Sequence, residues 1–142
     1  MSALAESPDS AKVLVVDDEL EIRRSLQKLV TRFGHVVRTA ASAEEADQWL
    51  SSERFDLCLL DIELPKMKGV EFLSQALSRD PEMAVIMLTG LDVPEVAIEC
   101  IDQGARTYLL KPVEMDFLRL AVRDALAMHQ VLVERNQLAS GR

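Results

Sequence analysis

The 142-residue sequence predicts a single α/β domain built on a doubly wound parallel sheet. Five short apolar segments alternate along the chain with five segments whose apolar residues recur at helical spacing. The short segments are apolar at nearly every position, as is usual for strands covered by helices on both faces. No hairpin signal such as Asn-Gly separates them, so we expect the strands to run parallel through right-handed crossovers.

The elements can be placed from their patterns and their stop signals. Gly34 and Gly104 end two helices, Pro94 suits a first helical turn, and Ser42 with Glu45 matches a capping box. The strands are predicted over Lys12–Val16, Val36–Ala40, Leu57–Leu60, Ala84–Leu88 and Thr107–Leu110. The helices are predicted over Glu19–Phe33, Ser42–Leu50, Val70–Leu77, Pro94–Gln103 and Glu114–Leu138. This count fits a flavodoxin-like (βα)5 sheet of strand order 2-1-3-4-5 with an extended C-terminal helix.

Composition narrows the class of protein. With 49% apolar and 28% charged residues, the chain can bury a core without disulfides or a structural metal. Its net charge of −8 argues against direct binding of nucleic acid, and no apolar run is long enough to span a membrane. Cys58 and Cys100 lack metal-binding spacing, which favours reduced core thiols in a cytoplasmic protein.

Polar side chains follow four of the apolar segments, at the points where the predicted strands end. They are Asp17, Asp18, Asp61, Thr89 and Lys111. In the expected strand order the first and third strands are neighbours at the switch point, so their acidic ends should share one crevice. An isolated Asp after a strand can simply cap a turn, but the repetition of polar strand ends favours a common site.

The chemistry of that set indicates phosphoryl transfer. Repulsion among three carboxylates is relieved by a hard cation, and Mg²⁺ takes one or two carboxylates together with phosphate oxygens. Lys111 and Thr89 supply donors for phosphoryl oxygens, which is what this chemistry requires. Asp61 is the candidate nucleophile because it comes singly from the central strand, whereas the pair Asp17-Asp18 suits metal binding.

Four segments together resemble the receiver domain of bacterial two-component response regulators: Val15–Glu19, Leu60–Gly69, Leu88–Gly90 and Tyr108–Pro112. The resemblance divides the chain into a flexible lead over 1–11, the receiver domain over 12–129, and a helical extension or linker over 130–142. It implies a signalling phosphoacceptor, not an enzyme acting on other substrates. The implied partner is a sensor histidine kinase or a phosphotransfer protein.

The resemblance also implies a role for each matching residue. Asp61 would accept the phosphoryl group; Asp18 and Asp61 would bind Mg²⁺ directly, Asp17 through water, and Glu63 through its backbone carbonyl. Thr89 and Lys111 would hold the phosphoryl oxygens. Tyr108 would move inward when Thr89 is drawn toward the phosphate, which would alter the face formed by the fourth helix, fifth strand and fifth helix.

Two alternatives to a phosphorylated receiver use the same residues. A haloacid dehalogenase-like phosphotransferase also combines Asp, Thr, Lys and Mg²⁺, but places its nucleophile before its acidic pair. A degenerate receiver would work without phosphorylation. The side chain of Glu63 would lie near the path of attacking water, where Leu91 offers no polar group.

The predicted last helix is longer than the fold needs. An apolar stripe through Phe117, Ala121, Ala125, Met128, Leu132 and Leu138 favours a linker or a helix that pairs with a second copy over a merely frayed tail. His35 and His129 have no partner that the sequence identifies, and we expect structural or surface roles for them.

Overall fold

A computed structural model describes residues 10–90 and 94–140, and it confirms the predicted five-stranded parallel sheet. The strand order is β2-β1-β3-β4-β5, with the switch point between β1 and β3. The strands are β1 (Lys12–Val16), β2 (Val36–Ala40), β3 (Leu57–Asp61), β4 (Ala84–Thr89) and β5 (Thr107–Leu110). Asp61 and Thr89 thus form the last residues of their strands instead of following them.

The ends of the helices differ from the predicted ranges by at most two residues. They are α1 (Leu20–Arg32), α2 (Ala43–Ser52), α3 (Gly69–Arg79), α4 (Pro94–Asp102) and α5 (Met115–Ala139). Glu19 and Glu114 have extended backbone conformations and precede the first helical residue. Ser42 caps α2 as predicted, because its Oγ accepts the Glu45 N–H at 3.1 Å.

The sheet separates two layers of apolar side chains. Successive residues of β1 point to opposite faces, so Leu14 and Val16 join one cluster while Val13 and Val15 join the other. Residues of α2 and α3 cover the first cluster, and residues of α1 and α5 cover the second. All five residues of β3 are buried, as the continuous apolar run predicted.

The apolar stripe predicted for the last helix is wrong by one position over its first half. Leu118, Val122 and Ala125 are the buried residues of α5, whereas Phe117 is 61% exposed. Each turn there carries two apolar neighbours, and the sequence pattern alone does not show which of them faces the sheet. The exposed set on this helix includes Phe117, Leu120, Met128, Val131 and Leu138.

Strand register determines where the polar residues lie. Val16 is paired with Leu60, Asp61 with Leu88, and Thr89 with Leu110, so the carboxyl ends of the four strands are level. The chain after β3 turns back closely over Asp61. A Cβ at Gly69 would lie 2.3 Å from the Asp61 carbonyl oxygen, so only glycine fits at the start of α3.

Two further observations concern the ends of the chain and membranes. The predicted lead over 1–11 falls mainly outside the described residues, but Ala11 is within them and pairs with β2 through the Val36 N–H at 2.9 Å.

In residues 10–90 and 94–140, no helix has both the length and the apolar character needed to cross a membrane.

Candidate functional site

Three polar residues are buried in the part of the chain that the structure describes, and all three lie at one edge of the sheet. Asp17 follows β1, Asp61 ends β3, and Thr89 ends β4. Their burial leaves each side chain with an exposure of 4% or less. Because burying polar groups is costly unless they are paired, this edge needs compensating contacts.

Asp17 and Asp61 are held in the same way. The Oδ1 atom of each accepts the backbone N–H of the residue two positions later, Glu19 or Glu63, at 2.9 Å. The Oδ2 atom of each faces the ammonium of Lys111, at 2.6 Å for Asp17 and 3.2 Å for Asp61. The two carboxylates therefore share one cation in a buried cluster, which we call the Asp17–Asp61–Lys111 cluster.

Backbone contacts fix this cluster to the sheet. The Asp17 N–H donates to the Ala40 carbonyl at 3.1 Å, and the Lys111 N–H donates to the Thr89 carbonyl at 2.8 Å. The side chain of Arg23 on α1 donates to the Asp17 carbonyl at 2.7 Å. The backbone of the cluster residues is thus anchored to β2, β4 and α1.

The shared charge affects the protonation of the cluster. Burial raises the pKa of Asp61 above its ordinary value, although the Glu63 N–H and the Lys111 charge act in the opposite direction. Burial alone would lower the pKa of Lys111, but its hydrogen bond to Asp17 and the charges of Asp61 and Asp17 outweigh that and raise it. Lys111 therefore stays cationic at neutral pH.

The acidic residues are close enough to bind one cation together. Asp17, Asp18 and Asp61 each offer a carboxylate oxygen, and these oxygens lie within 4.8 Å of one another. Ligands about 2.1 Å from one magnesium ion are up to about 4.2 Å apart, so the cluster matches its needs after a small adjustment. Asp17 Oδ2 is buried and is paired with the Lys111 ammonium at 2.6 Å.

Thr89 is connected to the loop after β3 by a contact with the side chain of Glu63. The Glu63 carboxylate accepts the Gly90 N–H at 2.9 Å and the Thr89 hydroxyl at 3.4 Å, which connects the loop after β3 to the end of β4. The predicted switch residue Tyr108 is half-buried and packs against the apolar cluster on the α2 and α3 side of the sheet. Leu91 lies outside the described residues.

Two contacts of the site could not be read from the sequence. Arg23 is one of several charged residues on α1, and no motif distinguishes it from its neighbours. The bond from the Gly90 N–H to the Glu63 side chain depends on how the two loops meet, which local sequence does not specify. All the predicted acidic residues and Lys111 do come together at this edge.

The fold and this acidic pocket define a flavodoxin-like domain with a cluster of carboxylates at its switch point that could hold a cation. Residues 13–123 match the response regulator receiver domain, and the chain belongs to that family of two-component signalling domains. Receiver domains bind Mg²⁺ at an acidic cluster and interact with histidine kinases or phosphotransfer proteins.

Individual relatives agree with this assignment. The chain is 35% identical over 127 residues to the alginate biosynthesis transcriptional regulatory protein AlgB of Pseudomonas syringae pv. tomato, covering 89% of this chain and 28% of AlgB. A CheY-like receiver domain protein from Methanospirillum hungatei superposes with a TM-score of 0.81 at 33% identity, covering 86% of this chain and 98% of that one. NtrX from Brucella abortus gives 0.87 at 32% identity, covering 91% and 30%. The chain thus spans less than a third of the length of AlgB and of NtrX.

Replacing Lys111 with Met tests whether its charge holds the cluster together. Removing one member of a buried ion pair leaves uncompensated charge, so the free energy of unfolding at pH 7 should fall by about 3 kcal/mol. The deficit should shrink as the pH is lowered, because protonated carboxyls no longer need the cation. Urea unfolding without added metal measures both effects. Lys66→Met, at an exposed loop lysine, is the matched control, and an equal loss there would contradict the interpretation.

Proposed function

We propose that this chain accepts a phosphoryl group on Asp61 in a Mg²⁺-dependent reaction, from a sensor histidine kinase or a phosphotransfer protein in the cytoplasm. Its chemistry would be limited to its own phosphorylation and dephosphorylation. The single observation that carries the proposal is the Asp17–Asp61–Lys111 cluster. It presents the strand-end carboxylate of Asp61 beside a fixed ammonium and a second buried carboxylate, and the Asp18 carboxylate lies close to both acidic groups.

The acidic residues differ in exposure and in the contacts they already make, and these differences support different roles in binding the cation. Asp18 is exposed, and we assign it with Asp61 to direct contact with Mg²⁺. Asp17 already has one oxygen on the Glu19 N–H and the other on Lys111, which favours contact through water. The Glu63 carbonyl would complete the protein ligands. When bound, Mg²⁺ would neutralise charge on the acceptor and phosphoryl oxygens.

In the transfer step, an Asp61 carboxylate oxygen forms a bond to phosphorus while the P–N bond of the donor phosphohistidine breaks. The leaving imidazole takes the electron pair of that bond. The product is an aspartyl phosphate, a mixed anhydride whose three terminal phosphoryl oxygens share up to two negative charges. Lys111 is already 3.2 Å from the acceptor carboxylate, so its ammonium can stabilise charge on the incoming group without moving far.

The switch would follow from competition for Thr89. Its hydroxyl contacts Glu63, and a phosphoryl group on Asp61 would offer a stronger acceptor while repelling the Glu63 carboxylate. Moving Thr89 would change the end of β4, and the half-buried Tyr108 in the neighbouring strand could then move inward. The surface of α4, β5 and α5 would carry the signal to a partner or output module.

The extended α5 supports a role in assembly. Its exposed apolar residues, such as Met128, Val131 and Leu138, suit pairing with a second copy or a lead into another module. We therefore propose a homodimer through this helix, or a link to an output domain in a longer protein. The net charge of −8 favours a protein partner over nucleic acid for this segment.

Incubation with Mg²⁺ and a small acyl phosphate should add about 80 Da to the protein, the mass of one phosphoryl group. The adduct should be removed by hydroxylamine and be absent in Asp61→Ala, as measured by intact mass spectrometry. Asp47→Ala, at a half-exposed carboxylate of α2 that is paired with Arg79 and lies outside the acidic pocket, is the control and should be modified like the wild type. No adduct with any donor would favour a degenerate receiver, and turnover of phosphorylated metabolites would favour a phosphotransferase.

Glu63→Ala tests the switch separately from phosphate uptake. Loss of its contacts to Thr89 and Gly90 should favour the switched arrangement roughly tenfold without phosphate, which corresponds to one hydrogen bond to a charged group. The chain has a single tyrosine, so NMR of a labelled Tyr108 ring reports this equilibrium directly. Glu63→Gln retains an acceptor oxygen and should resemble the wild type. Unchanged Tyr108 signals in Glu63→Ala would show that the contacts of Glu63 with Thr89 and Gly90 do not control the position of Tyr108.

A further inference from the structure

His129 joins the middle of α5 to the opposite edge of the sheet, away from the acidic pocket. Its Nδ1 atom lies 2.6 Å from the Glu82 backbone carbonyl, in the connection between α3 and β4. Its Nε2 atom lies 3.1 Å from Asp56 Oδ1, immediately before β3. The His129 side chain is 15% exposed, whereas that of Asp56 is 41% exposed.

Both neighbours of the His129 ring are acceptors. A carbonyl oxygen cannot donate, and an ionised carboxylate cannot donate, so each ring nitrogen must carry a proton to make its bond. A neutral imidazole has only one N–H and would leave one of the two contacts unmade. We propose that His129 is an imidazolium in the folded protein and acts as a proton-dependent clasp, which holds the distal half of α5 against the domain.

Further hydrogen bonds hold the acceptor groups of the clasp in place on the domain. The second oxygen of Asp56 accepts the Lys12 N–H at 2.8 Å, which fixes the carboxylate to the start of β1. Glu82 contributes a second anchor, because its side chain accepts the Asn136 amide at 3.0 Å, two turns beyond His129. The helix is thus held at two points on the same face by one connection of the domain.

The other histidine of the chain, His35, makes a different kind of hydrogen bond from His129. His35 lines the same cavity of about 850 Å³, but its Nδ1 accepts the Ala11 N–H at 3.0 Å and must be unprotonated. Burial lowers the pKa of His35, against the opposing charge of Asp56. The two rings of the sequence therefore differ in their surroundings: the His35 Nδ1 faces a donor, whereas both nitrogens of His129 face acceptors.

Charged and titratable side chains surround His129, and each element that packs around it contributes some of them. These groups lie on α1, at the edge formed by β1 and β3, in the connections after α1, α2 and α3, and on α5 itself. They are Lys12, Arg32, His35, Arg54, Asp56, Asp80, Glu82, Arg119 and Arg123. Arg54 already interacts with Asp80 and Glu82, at 4.0 and 3.8 Å. Asp56 is the carboxylate in direct contact with the His129 ring.

The clasp determines where α5 leaves the domain. The last buried residue of the helix is Ala125, and beyond Val133 every described side chain is exposed. Apolar packing therefore secures the first half of α5, while the polar contacts of His129 and Asn136 position the second half. Loss of the ring proton would remove one of these contacts and free the segment that projects from the domain.

NMR of the histidine ring nitrogens in the full chain tests the proposal directly. At pH 7, both nitrogens of His129 should be protonated, whereas His35 should have an unprotonated Nδ1; His129→Gln assigns the signals. A neutral His129 ring at pH 7 would overturn the proposal.

Hydrogen exchange provides the second measurement. Amides of residues 130–139 should exchange about tenfold faster in His129→Gln, but not in Gln130→Ala, an exposed neighbour on the same helix. Equal exchange in the two variants would show that the contacts of His129 do not hold the helix.

Discussion

The Asp17–Asp61–Lys111 cluster is the constraint on which the rest of the site depends. Two carboxylates are buried side by side at the carboxyl edge of the sheet, and one ammonium lies between them. One positive charge cannot balance two negative charges, and the neighbouring Asp18 adds a third. In a setting with limited access to water this excess is costly. The pocket is therefore arranged to receive positive charge, which is what a phosphoryl-transfer site requires.

The parallel sheet makes this arrangement possible. Apolar packing on both faces keeps the strands level, so residues far apart in sequence are placed within a few ångströms of one another. The loops above the edge then hold the carboxylates by backbone N–H groups and connect them to β4 through Glu63. Core packing and the geometry of the site are thus linked through strand register, and Glu63 connects the loop after Asp61 to Thr89.

The sequence was sufficient to predict the strand order and the meeting of the acidic residues with Lys111. Those predictions depend on strong regularities: continuous apolar strands, parallel crossovers and polar residues at strand ends. Contacts between loops were not predictable, such as Gly90 with Glu63, because they depend on tertiary approach. The buried side of α5 was mispredicted because Phe117 and Leu118 are equally apolar. The protonation demand on His129 appears only when both of its acceptors are located.

Thermal unfolding at increasing Mg²⁺ concentrations tests the central claim, that the pocket carries excess negative charge which a divalent cation neutralises. A ligand that binds only the folded state raises its stability in proportion to the logarithm of its concentration above Kd. The melting temperature of the wild type should rise steadily with Mg²⁺, and that of Asp17→Asn/Asp18→Asn should stay nearly constant. A wild-type melting temperature that does not change with Mg²⁺, or equal increases in the two proteins, would contradict the account.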